Sequence, residues 1–137
     1  MQAGSYGLAF FDKSYDEALA LTQESYGVLS RIEQNEFRVA SPVDDLRVRG
    51  EAFRLTTRLM QVVAWLLTQR AVHAGELSAE EVSSNAQYRL GAAKVCRDDS
   101  QHHHPTIPDE LADLLDRSLN LYVRIARLDE LLHSSVH

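Results

Sequence analysis

Apolar residues in the first third of the chain recur at three- and four-residue steps through Phe11, Tyr15, Ala18, Thr22, Tyr26, Leu29 and Ile32. This spacing lines one face of an α-helix. Asp12 or Ser14 is placed to cap its first amides, Asp16 and Glu17 complement the positive end of its dipole, and Ser41-Pro42 marks the break that follows. The pattern resumes from Val43 to His73 with Leu46, Arg49 or Gly50, Phe53, Leu59, Val62, Val63, Leu66, Leu67 and Ala71, and no proline interrupts it. At 1.5 Å per residue this second helix would span about 46 Å. Its middle, from Leu59 to Leu67, is apolar on nearly every side, so it calls for burial all round. Leu59, Val62, Val63, Trp65 and Leu66 are therefore assigned either to a bundle core or to a homodimer interface, because three helices rarely enclose one of their members completely.

Past His73 the chain changes character. Gly75 is placed to close the long helix in a left-handed conformation, and Ser78-Ala79-Glu80-Glu81 reads as a capping box that opens a short third helix running toward Leu90. Gly91 weakens helix formation, so Tyr88–Gly91 and Ala92–Cys96 read as helical or turn-rich. Residues 97–108, with a histidine triplet, two prolines and little periodicity, read as a surface loop. Pro108, Asp109 and Glu110 then open a last helix with a stripe of Leu111, Leu114, Leu115, Ser118, Leu121, Tyr122, Ile125, Leu128 and Leu132. That stripe nearly follows a seven-residue repeat over three heptads, which suits packing against the first two helices. The expected fold is all-α, an antiparallel helical bundle of three long helices plus a short helix, dimeric, with residues 1–137 forming a single domain.

Composition agrees with a folded domain and narrows the function. The 137 residues are 45% hydrophobic and 25% charged, too apolar for a disordered chain. Fourteen Lys and Arg against twenty Asp and Glu leave a net charge of -6, the wrong sign for spreading over nucleic acid phosphates. Met1 to Leu8 lacks the basic start and apolar core of an export signal, and no run approaches the ~18 apolar residues of a membrane helix. The single cysteine, Cys96, cannot form an internal disulfide. A cytoplasmic protein without nucleic acid or membrane partners is expected.

Candidate chemistry is sparse. His102-His103-His104 could hold zinc, copper or nickel, but adjacent side chains cannot all converge on one ion and no Cys or carboxylate completes a ligand spacing, so a solvated polar loop is the plainer reading. Cys96 would need a base and a lowered thiol pKa to act as a nucleophile, and a small buried cysteine is the ordinary case. Phosphate-loop, nucleophile-elbow and zinc-protease signatures are missing from the sequence, so neither a catalytic residue, a metal nor a cofactor is assigned. Arg47, Arg54 and Arg58 could share a face that binds phosphate or a partner, although Asp44, Asp45 and Glu51 are positioned to neutralise them. Arg117, Arg124 and Arg127, interleaved with Asp113, Asp116, Asp129 and Glu130, invite the same account.

One stretch carries a resemblance. It consists of Arg54-Leu55-Thr56-Thr57-Arg58-Leu59-Met60-Gln61-Val62-Val63-Ala64-Trp65-Leu66-Leu67-Thr68-Gln69-Arg70-Ala71-Val72, then Gly75-Glu76, Tyr88-Arg89-Leu90-Gly91, Cys96-Arg97-Asp98, Leu114 to Ser118 and Leu121 to Asp129. These blocks resemble the RcdA family, the alphaproteobacterial regulators of CtrA degradation, also described as a domain of unknown function. The likeness covers the chain from about Arg54 onward and implies a dimeric helical bundle. It also implies a non-enzymatic adaptor for the ClpXP protease that helps deliver cell-cycle regulators such as CtrA, with response-regulator-type proteins among its partners.

An adaptor needs two separate contact patches, since it works by raising the local concentration of a substrate at the protease. Gln69, Arg70, Glu76, Tyr88, Arg89 and Arg97 lie within the resembling stretch and carry large polar side chains, so they are the candidate partner-binding residues. The alternative at Tyr88 and Arg89 is internal packing, with the guanidinium paired to a carboxylate at the edge of the core. Two other functions remain open at this point, a helical DNA-binding transcriptional regulator and a metal-binding helical protein using His102–His104.

Overall fold

The computed structural model describes residues 3–37 and 39–136, with side-chain surroundings for 9–37 and 39–133. Met1 and Gln2, part of the stretch read for an export signal, lie outside the described residues. Among the described residues five helices follow in order: α1 (Ala3–Glu33), α2 (Pro42–His73), α3 (Ala79–Ser84), α4 (Ala93–Cys96) and α5 (Asp109–Val136), with a 3-10 turn at Ala86–Tyr88. The fold is all-α, as expected. Among the described residues, no helix is long and apolar enough to cross a membrane.

The helix ends follow local chemistry. Ser41 takes an extended conformation and its hydroxyl accepts from the Asp44 amide, while Pro42 occupies a first-turn position where no amide is needed. At the other end Gly75 has φ +80, its amide donates to the Val72 carbonyl and the Glu76 amide to the Ala71 carbonyl. That pair of bonds is a Schellman closure, which an L side chain at position 75 would strain. The capping box at Ser78 and Glu81 forms in both directions. The third helix is shorter than expected, ending at Ser84 before the 3-10 turn.

The first helix departs from the sequence reading. It begins at Ala3, so neither Asp12 nor Ser14 caps it, and Ser14 is buried within it. Its core face is Phe11, Ser14, Ala18, Leu21, Ser25, Val28 and Ile32, an unbroken alternation of three- and four-residue steps. Thr22 and Tyr26 instead lie outside the core, because both candidate stripes share Phe11, Ala18 and Ile32 and differ by one position between.

Ion pairs fix the directions of the three long helices. Arg31–Glu110, Arg117–Glu24 and Arg124–Glu17 descend in steps of seven residues, so α1 and α5 are antiparallel. Phe11 packs edge-on against Trp65 near one end and Arg49 reaches the Ile32 carbonyl near the other, so α1 and α2 are also antiparallel. Consequently α2 and α5 run parallel, which departs from a purely antiparallel bundle. Parallel neighbours need a crossover as long as the bundle, and residues 74–108 supply it. This crossover climbs the groove between α2 and α5: Arg89 bonds Asp129, Tyr122 bonds the Gly91 carbonyl, and Gln101 bonds Arg47.

Candidate interaction surfaces

The core face of α2 is Val48, Glu51, Ala52, Leu55, Arg58, Leu59, Val62, Trp65, Leu66 and Gln69. Leu59, Val62, Trp65 and Leu66, assigned above to core or dimer interface, all face the protomer's own core, and Val63 is half-buried. The surprise lies on the opposite face. Val43, Leu46, Phe53, Met60 and Leu67 are 65%, 72%, 67%, 66% and 47% exposed, although Leu46, Phe53 and Leu67 belong to the stripe expected to be buried and Met60 to the middle stretch expected to be covered all round. With Gly50, Thr57 and Ala64 between them, they mark every a and d position of a heptad from residue 43 to residue 67. A continuous coiled-coil seam is therefore turned outward. Gly50, in mid-helix, costs about 1 kcal/mol relative to Ala. Nothing within the protomer explains it, for a Cβ there would meet no atom within 4 Å.

The seam borders a groove between α1 and α2 of about 640 Å³, lined mainly by Tyr26, Leu29, Met60, Val63 and Leu67. That volume falls in the range of ligand and peptide sites. Tyr26, 67% exposed, stands on its far rim.

A second, smaller cleft of about 140 Å³ lies at the other side of α2, where α2, α3 and α5 meet. Gln69, Tyr88 and Arg89 converge there with Trp65, Val72, Val82 and Leu132. At its floor the buried Asp129 carboxylate accepts from Trp65 Nε1 at 3.0 Å and from Arg89 Nε at 2.8 Å. Arg89 thus pairs with a carboxylate at the core edge. The other three candidate residues go elsewhere: Arg70 lies over the Tyr15 ring beside Asp12 on α1, while Glu76 and Arg97 are exposed and line neither cavity.

Arg58 is the residue that sequence reasoning missed. It was grouped with Arg47 and Arg54 as surface charge; those two do pair with Asp44 and Glu51, but Arg58 is fully buried. Its Nε donates to the Cys96 carbonyl at 2.6 Å, one terminal nitrogen to the Leu115 carbonyl and Ser118 Oγ, and the other to the Asp98 carbonyl and His102 Nε2. All five guanidinium donors are used. Burial away from water pushes its pKa down to about 10, and Arg54 nearby adds to that. The only advance signal was its spacing, three residues after Leu55 and four before Val62, which places it on the core face between them.

The histidine triplet also divides. His102 is buried between Arg58 and Asp116 rather than solvated, His103 is exposed and reaches Asp116 at 3.1 Å, and His104 bonds Thr106. Their three directions do not share one ion. His102 accepts from Arg58, so its proton sits on Nδ1 facing Asp116; burial first, and the Arg58 charge second, hold its pKa below the usual value. Cys96 is fully enclosed, and burial raises its thiol pKa, which is the opposite of what a nucleophile requires.

The model of a family described as "Protein of unknown function (DUF1465)" matches residues 6–137. The chain belongs to this family. The crystal structure of RcdA from Caulobacter crescentus CB15 is similar at 33% identity and a TM-score of 0.68, over 90% of this chain and 91% of that one. No curated protein matches the chain. The likeness to RcdA reaches into α1, well before Arg54, where the sequence resemblance began.

Proposed function

We propose that this protein acts as RcdA-type regulators do, as a non-enzymatic cytoplasmic adaptor that helps deliver cell-cycle regulators such as CtrA to the ClpXP protease. The whole-chain likeness to RcdA carries this reading. The geometry supports it in kind. An adaptor must hold two partners at once, and this scaffold presents two apolar surfaces on different sides of α2. The cleft at Gln69, Tyr88 and Arg89 suits a partner side chain, since it pairs apolar walls with a fixed charge at its floor. Homodimerisation belongs to the same reading.

The test is reconstituted proteolysis. Purified ClpXP and CtrA-type response regulator are incubated with and without this protein, with the remaining family components supplied equally, and substrate half-life is read on gels. A faster decay that reverts with Tyr88→Ala is expected. Unchanged decay together with no capture of either ClpX or the response regulator would refute the adaptor role.

A further inference from the structure

We infer that the cleft where α2, α3 and α5 meet takes one uncharged apolar side chain, about the size of leucine, from an extended segment of a client protein, with the Gln69 carboxamide bonding the main chain beside it. This rests on the adaptor reading above and adds which part of a client is held.

Gln69 carries the argument. It is 8% exposed and lines the cleft, yet among the described residues its carboxamide has no hydrogen-bond partner. Such a group gives up its bonds to water without replacing them, which weakens the folded state. The charged groups at the floor are already committed. One Asp129 oxygen accepts from Trp65 and the other from Arg89, and a terminal nitrogen of Arg89 lies 3.8 Å from Glu130. These charges balance one another locally, so a charged ligand would find no unmatched counter-charge. What stays open is a neutral donor beside a neutral acceptor. In an extended peptide the N–H and C=O of one residue point to the same edge, as they do when strands pair, so a single residue satisfies both.

Size and walls set the side chain. The cleft of about 140 Å³ has room for four or five heavy atoms at roughly 30 Å³ each, and a leucine side chain has four carbons. Trp65, Val72, Val82 and Leu132 give it apolar walls. A second hollow of about 160 Å³, lined by Gln61, Thr68 and Gln87, shares Trp65, Tyr88 and Arg89 with the first. An extended segment therefore has a place to continue, since alternate side chains of a strand point the same way.

The test uses the full chain and N-acetyl-leucine N-methylamide, a single leucine between two peptide bonds. Trp65 is the one tryptophan of the sequence and lines the cleft, so its emission reads occupancy. Saturation on the order of 1–10 mM is expected for a ligand of about thirteen heavy atoms. The glycine analogue should give no saturable change, and methylation of the leucine nitrogen should weaken binding about tenfold. Gln69→Met should weaken the leucine probe to a similar extent while raising the urea midpoint by about 0.5 M, because it removes an unpartnered buried amide. A glutamine with a purely structural role would instead lower the midpoint and leave binding unchanged, which overturns the proposal. The probe series needs no variant, so it decides even where Gln69→Met does not fold. No saturation by about 50 mM overturns the proposal. Tighter binding of N-acetyl-leucine, whose free carboxylate would mark an anion site at Arg89, does the same. In the proteolysis assay Gln69→Met should slow client decay; normal decay with this variant overturns the proposal and leaves the adaptor role standing. Failure of the adaptor role itself would appear as decay and capture unaffected by the unsubstituted chain, with the probe still saturating.

Discussion

Replacing Arg58 with methionine keeps the length of the side chain and removes its five donors. The losses are concentrated in the crossover: the Cys96 and Asp98 carbonyls and His102 Nε2 would face a thioether instead of a guanidinium. A buried acceptor deprived of its donor costs about 1–3 kcal/mol, offset in part by no longer desolvating the charge. A net loss of about 3–5 kcal/mol follows, within the range for breaking a buried charged network. With a urea slope near 2 kcal/mol per M, the midpoint should fall by roughly 1.5–2.5 M. Circular dichroism would report the midpoint, and amide exchange would report where protection is lost, with residues 94–104 opening before α1. Arg58→Lys should recover only part of the loss, because three donors on a single nitrogen cannot reach both the crossover and α5. A midpoint shift below ~0.5 M, with protection of the crossover unchanged, would refute the idea that this cation holds it.

The same site predicts a pH dependence. The pKa of His102 is lowered in the folded chain by burial and by Arg58, with Asp116 and Glu51 facing it as the opposing charges. Its contribution is therefore complete above the unfolded value near 6.5 and is lost as pH falls from there toward the depressed folded value. His102→Gln should flatten that part of a stability-versus-pH curve, and an unchanged curve would count against it. Asp129→Ala leaves Trp65 Nε1 and the Arg89 guanidinium without their shared acceptor. A destabilisation of about 3 kcal/mol and a shift in tryptophan emission are expected, and neither would occur if the carboxylate were a solvent-bridged bystander.

The helices were legible because their ends carry chemistry that acts locally. Ser41-Pro42, Gly75 and Ser78–Glu81 each solve the problem of unpaired amides or carbonyls within a few residues; the last two behave as read, and Ser41-Pro42, read as the break after the first helix, also caps the second. The seam of α5 was equally plain, since Leu111, Leu114, Leu115, Ser118, Leu121, Tyr122 and Ile125 are all buried. Less visible was which of two apolar stripes on α2 faces inward. Both are helical in period, and the one containing Glu51, Arg58 and Gln69 looks the more polar, yet it forms the core. Arg58 and His102 hide for the same reason: their buried polar groups are satisfied by partners distant in sequence, carbonyls 38 to 57 residues away for Arg58 and the Arg58 guanidinium, 44 residues away, for His102, which periodicity does not register. Of the six candidate partner-binding residues, the three that meet do so because the crossover turns back at Tyr88 and Arg89 to lie beside Gln69.

Three of the five contacts made by Arg58 are to main-chain oxygens, those of Cys96, Asp98 and Leu115. A carbonyl is common to every residue type, so the grip on the crossover does not depend on the identities of the side chains it holds. The outward positions nearby, Lys94, Arg97, Asp99 and His103, are consequently open to replacement without changing the path of the chain. New surface chemistry could be tried on this strip by exchanging residues one at a time, with the backbone beneath it left in place.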